Sequence, residues 1–208
     1  MPSKMPSKMF TRSSLLVLAT GLLGGGIVSR NAVAQPAVAA GESLFTIADG
    51  AASLEAPAAW KRVQPKSGIV ETEFAIPSDG NGPDGGPLPP GRMTVMGAGG
   101  SVEANIERWY GQFVQPDGGS TKDKASTKKL KVAGRDVTLV DIAGTYKDSP
   151  GGPFAGGATI DRPGYRMLAA IVEGPDGNYF LKFYGPTATV EQHADGFRKM
   201  IEGMVPAK

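Results

Sequence analysis

The sequence predicts an α+β domain, a mostly antiparallel β-sheet of about six or seven strands with two main helices packed on it. Three observations carry that expectation. Runs such as Ile69–Pro77 and Arg135–Tyr146 are rich in β-branched and aromatic residues and are bounded by Gly/Pro turns. Two segments, Val102–Phe113 and Val190–Val205, place apolar residues at helical spacing. The order is strands, helix, four strands, helix, from which an antiparallel sheet covered by helices follows.

Residues 1–34 read as an export signal. Lys4, Lys8 and Arg12 form a basic region, Ser14–Val28 is apolar, and Ala32-Val33-Ala34 is a small-x-small site before Gln35. A second triplet, Ala37-Val38-Ala39, allows a cut a few residues later. The apolar stretch is shorter than the ~20 residues a spanning helix needs. The expected product is therefore exported, periplasmic or secreted, with no stable membrane anchor after cleavage. Removing the leader leaves 18 basic residues (22 less 4) against 20 acidic ones. That balance takes away the main support for nucleic-acid binding, which needs a clustered basic surface. The chain has no cysteine, so neither disulfides nor a Cys-linked lipid hold it.

Residues 35–42 are Ala-rich and read as a tether, leaving 43–208 as a single domain. Ser43–Trp60 offers two short strands around Ala48-Asp49-Gly50, with Trp60 as a core plug. In Ile69–Pro77, Val70, Thr72, Phe74 and Ile76 face one way, and Glu71 and Glu73 face the other as the solvent side. Ser78–Gly91 is loop, and Arg92–Met96 resumes as strand. Val102, Ile106, Trp109, Tyr110 and Phe113 form the buried stripe of the first helix, with Glu103 suiting its N-terminal dipole. Pro116-Asp117-Gly118-Gly119 ends it.

The basic run Lys122–Lys131 reads as solvated loop and edge strand. Leu130–Ala133 and Arg135–Tyr146 form a hairpin through Gly134, and Lys147–Gly164 is expected to be a long Gly/Pro loop. Tyr165–Pro186 then gives the central hairpin, reversing at Gly174-Pro175-Asp176-Gly177. Its first arm is apolar on both faces, so it must be covered on both. The closing helix has Thr189 and Gln192 in a capping-box pattern and Val190, Ala194, Phe197, Ile201 and Met204 as its buried stripe.

The run of strand, loop, strand, a helix with Arg108-Trp109, a hairpin, a long hairpin ending Tyr184-Gly185-Pro186 and a terminal helix resembles the PsbP-like superfamily. The resemblance covers about Ser53 to Val205. Members of that superfamily include the extrinsic photosystem II protein, a Ran-binding nuclear factor of the Mog type and exported bacterial proteins. It implies an α/β/α sandwich and a non-enzymatic binding or assembly role, and it maps no partner-binding residue onto this chain.

No catalytic signature accompanies the single histidine, His193, which reads as a core-edge or surface residue. Asp79, Asn81 and Asp84 miss EF-hand spacing, with Pro83 at the third ligand and Pro90 where the bidentate Glu belongs, so they read as turn formers. Gly97-Ala98-Gly99-Gly100 lacks the Lys-Ser/Thr of a phosphate loop and reads as a strand-to-helix turn. No metal or cofactor is expected. The expected function is a non-enzymatic binding or accessory module that engages a protein of the cell envelope through Gly/Pro-rich loops. Phe154, preceded by Pro153 and flanked by glycine pairs, is the candidate partner-binding residue, unless it folds back over the sheet as a lid. The alternative function is a carrier of a small apolar ligand or lipid held between sheet and helices.

Overall fold

The computed structural model describes residues 43–149 and 158–207, so the expected signal and tether lie outside it. Eleven strands and three helices follow in order. These are β1 (Leu44–Ile47), β2 (Ala52–Glu55), β3 (Lys61–Val63), β4 (Thr72–Ile76), β5 (Gly91–Ala98) and α1 (Val102–Tyr110). Then come β6 (Phe113–Val114), α2 (Thr121–Lys124), β7 (Ser126–Val132), β8 (Arg135–Asp148) and β9 (Ile160–Gly174). The chain closes with β10 (Gly177–Pro186), α3 (Thr187–Glu202) and β11 (Val205–Pro206).

Eight strands form one sheet in the order β3-β4-β5-β10-β9-β8-β6, with β7 also paired to β8; β1, β2 and β11 form a second sheet. All their pairings are antiparallel. The α+β class is thus found, with more strands than the expected six or seven. Three of them, β3, β6 and β11, have only two or three residues, too few to show a period.

The β9–β10 hairpin lies inside the large sheet, and its two faces build two cores. Leu168, Ala170, Val172, Leu181 and Phe183 pack with Met93, Val95 and Phe74 under α3 and the small sheet. Met167, Ala169, Ile171 and Phe180 pack on the opposite side against Ile106 and Trp109 of α1. Two apolar faces on one strand require this double cover, because either face left in water would forfeit its burial.

Both ends of the region read as the loop Lys147–Gly164 are strand: Lys147 and Asp148 belong to β8, and Ile160–Gly164 to β9. Tyr146 pairs with Arg162, Lys147 with Asp161 and Asp148 with Ile160, so β8 and β9 run on past their apolar stretches as a two-stranded ribbon. Ladder hydrogen bonds there do not depend on apolar side chains, which is why the pattern missed them. Two helix ends also differ from expectation. Phe113 lies in β6 opposite Tyr146, since α1 stops at Tyr110. The capping box of α3 is absent: Pro186 occupies the cap, Thr189 Oγ1 donates to Pro89 O, and Gln192 bonds the backbone of Asp79. Both side chains tie α3 to the loop before β5 instead of to its own first turn. Among the described residues no helix is long and apolar enough to cross a membrane.

Candidate functional site

The α1 side of the sheet carries a row of polar and aromatic side chains that the apolar stripe of α1 does not cover. Strand register builds it. Tyr184 on β10 pairs with Arg92 on β5, and Lys182 lies two residues earlier on the same face. Glu73 on β4 pairs with Thr94 and reaches Arg92, two residues earlier on β5. Tyr165 comes from β9 and Tyr146 from β8, brought level by a bulge between Gly144 and Tyr146.

The row reads Glu73, Arg92, Tyr184, Lys182, Tyr146, Tyr165. Arg92 donates from Nε to Glu73 Oε1 at 2.7 Å and from Nη2 to Oε2 at 2.8 Å, a forked pair. Its Nη1 donates to the Tyr184 hydroxyl at 2.7 Å. Tyr184 therefore stands between two cations, with Arg92 5.9 Å from its ring centroid and the Lys182 Nζ 5.2 Å away. Lys182 also lies 5.1 Å from the Tyr146 centroid and donates to Gln112 Oε1 at 2.6 Å. Tyr146 stacks on Tyr165 at 6.3 Å and 11°. The backbone carbonyl of Gln112 accepts from Lys147 N, fixing the end of α1 over the row.

Charge is unevenly matched here. Glu73 is committed to Arg92, and Asp148 to Arg162 at the start of the ribbon. Lys182 and the exposed Arg108 of α1 have no carboxylate partner among the described residues; Arg108 donates to Asn105 Oδ1 instead. The hydrogen bonds from Arg92 hold the Glu73 carboxyl below the usual carboxylate range, and the same bonds push Arg92 up. Enclosure pushes Lys182 down to about 7, aided by the charges of Arg108 and Arg92 and opposed by Asp148. A rim of the Lys182 side chain still meets solvent. Burial raises both Tyr146 and Tyr184.

Glu73 corrects the sequence reading most sharply. It was expected on the solvent face of its strand, yet its side chain is 2% exposed. Alternation does turn Glu73 away from Phe74 and Ile76, but the neighbouring Arg92 and the Lys66 backbone N–H, which donates to Glu73 Oε2, enclose it. Glu71 is exposed and accepts from Gly97 N, so the glycine run ahead of α1 already holds a carboxylate of this chain. Asp84 accepts from Gly86 N and Asp79 is tied to Gln192, both as loop fasteners. His193 sits at the core edge, bonded to Trp60 and Pro77. Among the described residues no three His, Cys, Asp or Glu side chains gather as a metal set. Phe154 and Pro153 lie outside the described residues.

Periodicity gave no hint of the Arg92–Tyr184–Lys182–Tyr146 row, because its members come from three strands and meet only through register. One signal was present: Lys182 is the single charge inside the apolar run Tyr179–Tyr184.

Two concavities lie away from Lys182, the first of them touching the row only at Glu73. One, of about 630 Å³, is open and bounded by Arg62–Gly68 and Val70–Glu73. The other, of about 150 Å³, lies between Leu139, Leu168 and Phe197, with Lys128, Asp141 and Arg198 also lining it.

No protein-family model matches the chain, and no curated protein matches it. Among solved structures it is similar to PA94 from Pseudomonas aeruginosa, a protein of unknown function, at 14% identity and a TM-score of 0.45, over 79% of this chain and 96% of that one. It is also similar to cyanobacterial PsbP from Synechocystis, at 11% identity and a TM-score of 0.45, over 79% of this chain and 93% of that one. The likeness to PsbP is one of fold, as is the PsbP-like resemblance in the sequence.

Proposed function

We propose that this chain is an exported, non-enzymatic binding or accessory module that engages a protein of the cell envelope. The contact surface is the α1 face around Lys182 together with the connection between β8 and β9, with Phe154 and Pro153 as its anchor. The observation that carries this reading is a partly buried lysine, boxed by two tyrosines and bonded to Gln112, with no carboxylate partner among the described residues. A fold gains nothing from enclosing an unbalanced cation, since removing charge from water costs free energy. A partner's carboxylate would balance it. The connection carrying Phe154 leaves β8 at Asp148 and returns at Ile160, beside the same end of the row.

The carrier reading has less support. The space between sheet and α3 is about 150 Å³, below the ~300–1,000 Å³ typical of small-molecule pockets.

Capture from an envelope extract by the mature domain tests the proposal. Phe154→Ala and Arg108→Glu should each weaken capture of whatever the wild type retains, with melting temperature nearly unchanged. Undiminished capture by both variants would overturn it. A drop in melting temperature for Phe154→Ala with capture intact would assign Phe154 to the lid role.

A further inference from the structure

We propose that the outer edge of β7 takes up an acidic, extended segment of a partner protein as an added strand. This surface is separate from the row around Lys182, and the proposal is independent of the reading given for that row.

The ladder supplies the backbone half of the site. β7 runs over seven residues and pairs with β8, and among the described residues no strand pairs with its other side. Ala133 and Gly134 both take positive φ, so the β7–β8 hairpin reverses in two residues. Val132 and Arg135, which flank the reversal, then exchange both hydrogen bonds across the pair. Alternation from Val132 turns the N–H and C=O groups of Lys131, Lys129 and Thr127 outward. Among the described residues, no backbone hydrogen bond from beyond the hairpin reaches them. A row of unpaired backbone groups is what an added strand bonds to.

Charge chooses the occupant. Lys128 and Lys129 are exposed, one on each face of the strand, and neither has a carboxylate partner among the described residues. Lys131 has only the exposed Asp136, a contact that water largely screens. Lysines on an edge keep out a second copy of this chain, because β7 laid on another β7 would set lysine beside lysine. The undescribed segments of this chain match no better. Residues 1–34 carry four basic residues and no acidic one, and 35–42 with 150–157 carry a single acidic residue, Glu42. A strand with two adjacent carboxylates presents one on each face and answers both Lys128 and Lys129. On the α3 side, Ser126 and Lys128 border the cavity of about 150 Å³ that Leu139, Leu168 and Phe197 also line. Apolar side chains flanking the carboxylates therefore have a recess beside the edge.

The probe is a capped peptide as long as β7, built of valine and threonine with two adjacent glutamates at its centre. Its controls carry two glutamines or two lysines there. With the glutamate peptide at saturation, NMR should show amide exchange at Thr127, Lys129 and Lys131 slowed by about tenfold or more, while Lys128 and Leu130, already bonded to β8, change little. The glutamine peptide should bind more weakly and the lysine peptide more weakly still, and added salt should narrow the gap. Lys128→Glu combined with Lys129→Glu, both at exposed positions, should reverse the order of the glutamate and lysine peptides with melting temperature nearly unchanged. Glutamate-peptide binding without slower exchange at the three outward amides would mean adsorption by charge alone and would overturn the proposal. Equal binding of all three peptides would overturn it as well. So would exchange at those amides that slows with protein concentration and ignores the peptide, since the edge would then belong to a second copy.

Discussion

Trp60 is 1% exposed and packs against Phe183 and Phe74, yet its indole N–H must be accepted by something inside the protein. His193 Nδ1 does so at 3.2 Å, which leaves the ring proton on Nε2 to be donated to Pro77 O at 2.8 Å. One imidazole thereby joins α3, the segment before β3 and the loop after β4. His193→Ala should orphan the indole N–H and cost about 1–3 kcal/mol, read as a lower melting temperature. An unchanged value would mean that water replaces the histidine. Trp109 is anchored differently, edge-on to Phe180 at 5.8 Å and 85°, and 3% exposed. Trp109→Ala should cost about 3–5 kcal/mol in chemical denaturation, as for other buried large aromatics. A loss below 1 kcal/mol would show that α1 contributes little to holding this face.

Elements show where sequence is legible and where it is not. The central hairpin was readable because both halves of its alternation are apolar and its turn is Gly-Pro-Asp-Gly. The hairpin between β7 and β8 was readable through Gly134, which with Ala133 takes the positive φ that a two-residue reversal needs (77° and 51°). β6 was not readable: its two residues, Phe113 and Val114, look like the tail of the helical stripe. What pulls them into the sheet lies far along the chain, at Gly144. That residue has φ of 150°, and a Cβ there would stand 2.8 Å from Val114 O and 3.0 Å from Gln115 Nε2. Gln115 Nε2 in turn donates to Ala143 O and Thr121 Oγ1, fastening β6 and α2 onto β8. Gly144→Ala should push β6 off the bulge and cost about 1–3 kcal/mol of strain. Faster amide exchange confined to residues 113–124 and the facing part of β8 would confirm it; uniform protection would refute it. The Lys182 row was illegible for the same reason as β6, since its contacts are set by long-range register rather than by local pattern.

For the whole molecule, the row around Lys182 shapes stability against pH. Glu73 titrates below its unfolded value of 4.5 because of Arg92, so the stability it contributes is present above that value and is lost as pH falls through its lower native one. Lys182 acts with the opposite timing. Its unfolded value is 10.5 and its native value about 7. Between those limits the unfolded chain holds the extra proton, so stability rises with pH by at most about 1.4 kcal/mol per unit. The rise should fall short of that bound, because part of Lys182 still meets solvent. Tyr146 and Tyr184 titrate above their unfolded value of 10.0 through burial, so the stability they carry is complete below about 10 and lost above it. Together these signs place maximal stability on the alkaline side, at about pH 8–10, rather than near neutrality. Denaturant midpoints taken every half unit from pH 4 to 11 would check this. Lys182→Met should be more stable than wild type at pH 6 and lose that advantage by pH 10. It removes the buried charge while keeping the side chain's length. A wild-type profile flat between pH 7 and 10, or a Lys182→Met advantage that does not shrink, would mean that the lysine stays charged in its tyrosine box. Its unmatched charge would then weigh on the fold at every pH below 10.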